Sequence, residues 1–179
     1  MNDIEEIIQV IYIGLVVATF LYMTGRSRKA IELCSESLVL LNNEALEKEQ
    51  QFGKFLCEAI YKVMFAAYLL IRDYTNAATC GKKLLAIELE RGRTVQEVIL
   101  FIKLASIHQA QNKYVEAKEL YERAISIANK TGKQKEEGNA CVRLGIVLWC
   151  LSEITKAKEY FEKALAIAIE IGDRNGEGT

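Results

Sequence analysis

His108 is the only histidine in the 179 residues, so any Ser-His-Asp or Cys-His site would have to be built around it. No nucleophile-elbow or protease signature surrounds a serine or cysteine. No glycine-rich phosphate loop follows a strand pattern, and neither H-E-x-x-H nor an acidic metal loop occurs. The five cysteines (Cys34, Cys57, Cys80, Cys141 and Cys150) contain no C-x-x-C pair and fit neither zinc spacing nor a disulfide framework. Each lies in a helical pattern among apolar neighbours, where a free thiol behaves as a small hydrophobe, and a reducing, cytoplasmic setting is the expectation. The chain is thus expected to carry no catalytic residue, metal or cofactor. The chemistry that remains is recognition, by cations on an apolar background and by the single tryptophan, Trp149.

Those side chains need elements to hold them. Apolar residues make up 51% of the chain and proline is absent, which favours long uninterrupted helices. The net charge of −1 argues against a nucleic-acid surface, which needs a strongly basic face. The organising feature is a repeat. Lys113–Gly138 and Glu153–Gly178, 40 residues apart, are identical at 10 of 26 positions, and many of the rest swap like for like, as in Tyr121/Phe161 and Ile125/Leu165. Self-similarity at a fixed period of this length marks a helical solenoid.

In chain order, Ile7–Met23 has no charged side chain, with Gln9 its most polar one, and is followed by Arg26, Arg28 and Lys29. It reads either as a short membrane span with a positive flank or as a first helix packed on both sides. The second reading is preferred, because the stretch falls short of the ~20 residues of a typical span. A period-3.6 stripe then runs through Arg26–Asn43, Glu58–Ile71 is long and apolar, and further helical segments follow at Tyr74–Gly92, Thr94–Asn112, Tyr114–Thr131, Glu136–Leu151 and Ile154–Ile171. Gly92, Gly132 and Gly172 are the predicted helix stops, and the polar Glu44–Gln51 extends a helix or links two hairpins. Residues 173–179 match the linker into a further repeat.

The pattern of these segments resembles the tetratricopeptide (TPR) superfamily over essentially the whole chain. TPR repeats place a small residue at position 8 of helix A, and Ala, an aromatic and Ala at positions 20, 24 and 27 of helix B. The fourth unit supplies Gly145, Ala157, Phe161 and Ala164, and the third Ala105, Ala117, Tyr121 and Ala124. The second is degenerate, with Phe65, Ala77, Gly81 and Leu84, and so is the first, with Ala18, Ala30, Cys34 and Ser37. The 40-residue period and the linker after Gly172 are similar to one subgroup, the Pins-type G-protein-signalling-modulator scaffolds and long metazoan arrays bearing a caspase-like CHAT domain. The resemblance implies an all-α, right-handed superhelical solenoid of about four hairpins, a single array over 1–179 with repeats near 3–43, 52–92, 94–132 and 134–172.

It also implies a non-enzymatic protein-interaction scaffold with a concave groove lined by the A helices. In this register the groove carries Ile102, Lys103, Ser106 and Gln109 from the third unit, Asn139, Arg143, Ile146 and Trp149 from the fourth, and Lys62 from the second. The Asn that Pins-type members carry at position 6 is absent here, where Val63, Lys103 and Arg143 stand. The two-carboxylate clamp of chaperone-binding TPRs is missing too, since Ser106 and Ile146 occupy position 9. Cations above apolar surface suit a protein or peptide ligand of acidic-amphipathic character, with no nucleic acid and no membrane expected. An open C-terminal face near Trp149 is a second expected surface, for self-association. The alternatives are a membrane-anchored TPR protein inserted through residues 7–23 and a regulatory segment of a larger enzyme.

Overall fold

The computed structural model describes residues 3–41, 50–92 and 94–176. Among these it forms eight helices and no strand: α1 (Asp3–Met23), α2 (Ser27–Leu41), α3 (Gln50–Leu70), α4 (Tyr74–Arg91), α5 (Thr94–Ala110), α6 (Tyr114–Lys130), α7 (Gln134–Cys150) and α8 (Ile154–Gly176). This is the all-α solenoid of four helical hairpins that the repeat pattern predicts. Of the expected inter-hairpin segment Glu44–Gln51, residues 44–49 lie outside the described residues.

The helices stop where the backbone can turn left-handed. Gly25, Arg72, Asn112, Gly132 and Ser152 all have φ between 58° and 79°. In each case the next residue's N–H reaches back over the turn, as Lys113 does to the His108 carbonyl at 2.9 Å and Lys133 to Ala128 at 2.8 Å. This Schellman pairing satisfies orphan carbonyls and reverses the chain within two residues. Gly172 behaves otherwise. It takes no positive φ, and α8 runs on to Gly176. The predicted stop there is corrected: a helical glycine costs about 1 kcal/mol relative to alanine but does not end a helix unless its backbone turns.

The chain divides into two compact units, Met1–Ile87 and Glu88–Thr179. In the first, α2 packs on α1 and α3 around Ala18, Ala30, Cys34, Leu56 and Ile60, each at most 1% exposed. The degenerate repeat slots are filled all the same, since Phe65, Leu84 and Ser37 are buried. In the second unit α5 packs on α6, α6 on α7 and α7 on α8. Ala105, Ala117, Ala140 and Ala157 let the helices approach, and Tyr121 is fully buried. Gly145 is the tightest crossing: a Cβ built there would stand 2.6 Å from the Phe161 ring. Burial lifts the Cys34 thiol to about 12 and the Cys80 and Cys141 thiols to about 11, so all three stay protonated at neutral pH.

Helix α1 departs from the expectation of a first helix packed on both sides. It buries Ile11 and Ala18 and leaves Val10, Tyr12, Ile13, Val16, Val17, Phe20 and Met23 between 42% and 76% exposed. The reason is that α2 and α3 both lie against one side of it. By length and composition Ile4–Met23 is also able to cross a membrane.

Candidate functional site

The predicted groove residues of the third and fourth repeats converge in the second unit, where α5 and α7 lie beside each other. Their register makes this possible. Residues 139, 143, 146 and 149 recur every three or four positions, so they project from one face of α7, and 103, 106 and 109 do the same on α5.

Arg143 is the hub of that face. Its Nε donates to Asn139 Oδ1 at 2.9 Å, one turn earlier on α7, and its Nη1 donates across to Ser106 Oγ on α5 at 3.2 Å. The Ser106 hydroxyl is held in turn, lying 2.9 Å from both the Ile102 carbonyl and the Tyr121 hydroxyl. The Tyr121 hydroxyl donates to Gln109 Oε1 at 3.2 Å. Five side chains from three helices thus form one connected polar strip ending in a half-exposed guanidinium. Two of its five N–H groups are engaged, and the rest of the planar fork is shaped for a carboxylate. Beside it, Val142, Ile146 and Trp149 are 43%, 42% and 62% exposed, an apolar stripe at i, i+4 and i+7. Lys103 is exposed on α5.

Two of the predicted site residues stand apart from this constellation. Ile102 is only 7% exposed and belongs to the core, because α6 and α7 both pack on α5; its placement in the groove is corrected. Lys62 belongs to the first unit, where its Nζ is paired with the buried Glu58 one turn back on α3. Conversely, Tyr121 was not a predicted site residue, yet it holds Ser106 and Gln109. The signal lay within the chain: where the third unit has Ser106 and Tyr121, the fourth has Ile146 and Phe161 at the same slots. A buried tyrosine needs a hydroxyl partner that a phenylalanine does not.

Ion pairs tie the same hairpins together. Glu153 accepts from Lys118 and Lys156, both at 2.7 Å, and these two bonds hold its carboxyl below the usual range. The buried Glu137 accepts from Lys163 at 2.8 Å and from Asn129 at 3.1 Å, and that bond raises the Lys163 ammonium. Among the described residues no three His, Cys, Asp or Glu side chains are grouped to hold a metal.

The hairpins with this geometry are those that match a known family. Residues 96–170 match the tetratricopeptide repeat. Solved structures extend the likeness to the TPR fold over nearly the whole chain. Aspartyl phosphate phosphatase F from Bacillus subtilis is 15% identical with a TM-score of 0.71, over 97% of this chain and 43% of its own. A signal-transduction ATPase with a TPR sensor from Pyrococcus horikoshii is 19% identical with a TM-score of 0.76, over 92% of this chain and 25% of its own. MamA is 20% identical with a TM-score of 0.67, over 91% of this chain and 81% of its own. At these identities the likeness is one of fold. The chain spans less than half of the first two of these proteins. No curated protein matches it by sequence.

Proposed function

We propose that this TPR chain is a non-enzymatic, cytoplasmic protein-interaction scaffold, and that the α5/α7 face of its second unit takes an acidic-amphipathic peptide or partner helix. The observation that carries this reading is the pre-set guanidinium of Arg143 beside the exposed stripe of Val142, Ile146 and Trp149. An arginine already oriented by Asn139 and Ser106 loses little side-chain entropy when a carboxylate arrives. An exposed Trp next to it supplies the kind of anchor that dominates interface energies. Lys103 adds a second positive charge on α5, one turn before Ser106.

The test is calorimetric titration of the full chain with a helical peptide alternating Glu with Leu and Phe on one face. Saturable binding is expected, weakened about tenfold or more in Arg143→Ala and in Trp149→Ala, and weaker as salt rises. Equal binding by wild type and both variants would place the peptide elsewhere. A second reading is supported by the likeness to the Pyrococcus ATPase, whose repeats are a sensor: the same groove would serve as the sensing arm of a larger enzyme. The full-length transcript decides between them by whether a catalytic domain is encoded with these repeats.

A further inference from the structure

Helix α2 begins at a cleft of about 620 Å³ lined by Gly25, Arg26, Ser27, Arg28, Lys29 and Ile71, wholly within the first unit. That volume is in the range of small-molecule sites, about 300–1,000 Å³. The cleft lies where the repeat substitutes a small residue. Ser27, Tyr74, Tyr114 and Ile154 each stand three residues before the alanine at position 20 (Ala30, Ala77, Ala117 and Ala157). Three hairpins put a large side chain at that corner, and the first puts only a hydroxymethyl group there. Ser27 is 4% exposed, and its hydroxyl has no hydrogen-bond partner among the described residues. A buried donor on the wall of a cleft is thus left for whatever enters.

The charge around it has one sign. Arg26, Arg28 and Lys29 are exposed, and none of them is in an ion pair among the described residues. The first turn of α2 carries no acid, whereas Asp73, Glu116 and Glu153 stand in or just before the first turns of α4, α6 and α8. Asp73, the carboxylate closest to Ile71 in the chain, is turned into its own helix, where it accepts from Asn76 N–H at 3.1 Å and Asn76 Nδ2 at 2.7 Å. The Ala30 N–H is the first in α2 to find a backbone acceptor, the Arg26 carbonyl at 3.1 Å, so the amides of residues 27–29 have none within the helix. The dipole of this 15-residue helix adds positive potential at the same end. Free amides, a buried hydroxyl and three cations at one cleft suit a tetrahedral anion, whose several oxygens can each take a donor. Ile71 supplies an apolar wall for an organic body attached to it.

We propose that the cleft at the start of α2 binds a phosphomonoester carried on a small organic body, with Ser27, the amides of residues 27–29 and the side chains of Arg26, Arg28 and Lys29 receiving its oxygens. The test is an NMR titration of the full chain with inorganic phosphate and with glycerol 3-phosphate, at ionic strength held constant with sodium chloride. Saturable shifts of the Ser27, Arg28 and Lys29 amides are expected. Arg26→Gln/Lys29→Gln, altered only at exposed positions, should weaken binding about tenfold or more with unchanged helical circular dichroism. Ser27→Tyr, which installs the side chain of α4 and α6, should abolish it by filling the cleft. If that variant folds poorly, Ser27→Ala removes the hydroxyl alone and should weaken binding severalfold. Vesicles of phosphatidylcholine with phosphatidylinositol 4-phosphate separate the two sources of such a group. Flotation competed by glycerol 3-phosphate assigns the site to a lipid headgroup, and flotation that is absent or not competed assigns it to a soluble ligand. A wild-type response to both phosphates that never saturates, or binding unchanged in all of these variants, overturns the proposal.

Discussion

Helix α7 buries Ala140, Cys141, Leu144, Val147 and Leu148 to complete closure and turns Asn139 and Arg143 outward. Helix α1, the first helix of its own hairpin, closes over only two residues, Ile11 and Ala18, and turns Ile13, Val16 and Phe20 outward. The two helices share a repeat position, but α7 has packing neighbours in α5, α6 and α8 whereas α1 has α2 and α3. Core burial follows the number of neighbours. What the outward face carries follows the sequence, and it differs: a polar, pre-hydrogen-bonded strip on α7 and exposed apolar side chains on α1.

The sharpest way to break this contrast is by truncation. Leu144→Ala on α7 should cost about 2–5 kcal/mol, whereas Ile13→Ala, at an exposed site on α1, should stay within about 0.5 kcal/mol at concentrations where the chain is monomeric. Denaturant midpoints of the two variants measure both. The helix crossings give the next largest effect. Gly145→Val drives a side chain into the Phe161 ring and should destabilise by about 1–3 kcal/mol. Gly14→Ala on α1 meets the Ser37 hydroxyl at 3.0 Å and Leu33 Cγ at 4.0 Å, looser than the 2.6 Å approach at Gly145, so thermal melts should show the smaller change there.

Electrostatic effects rank lower. Lys163→Met leaves the buried Glu137 carboxylate with Asn129 as its remaining donor. With Lys163 itself partly solvated, the expected loss is about 1–2 kcal/mol. Because the folded Lys163 pKa lies above its ordinary 10.5, this contribution is complete below that pH. It disappears as pH rises through the folded value, so the gap between wild type and variant should close in strong alkali. Glu153 has the opposite sign: its folded pKa lies below 4.5, so its contribution is present above that value and lost as pH falls through the folded one. Glu153→Gln should therefore flatten the acid limb of a melting-temperature profile slightly, the smallest change of the series.

Much of the second unit was legible in the amino-acid order. The 40-residue repeat located both of its hairpins, and the small-residue slots at Gly145 and Ala157 marked where they cross, although the ring that meets Gly145 is Phe161 of the same repeat. Three features were not legible, each for a reason of packing. Ile102 and Val142 occupy the same slot one repeat apart, yet the first is buried, where α6 and α7 both pack on α5, and the second is 43% exposed; exposure depends on a neighbour, not on the residue. Gly172 looked like Gly132, yet a stop depends on whether the backbone turns left-handed, which composition does not state. The apolar run of α1 announced burial, and its one-sided packing appears only when α2 and α3 are seen on the same side.

Trp149 is the only tryptophan and stands at the edge of the proposed groove, so its emission reports on the site without a label. Titrating the full chain with the acidic-amphipathic helical peptide should shift that emission to the blue in a saturable way, with the shift abolished in Arg143→Ala and absent for a peptide whose glutamates are replaced by lysines. Emission that stays unchanged while the peptide demonstrably binds would contradict the assignment of the α5/α7 face as the recognition surface.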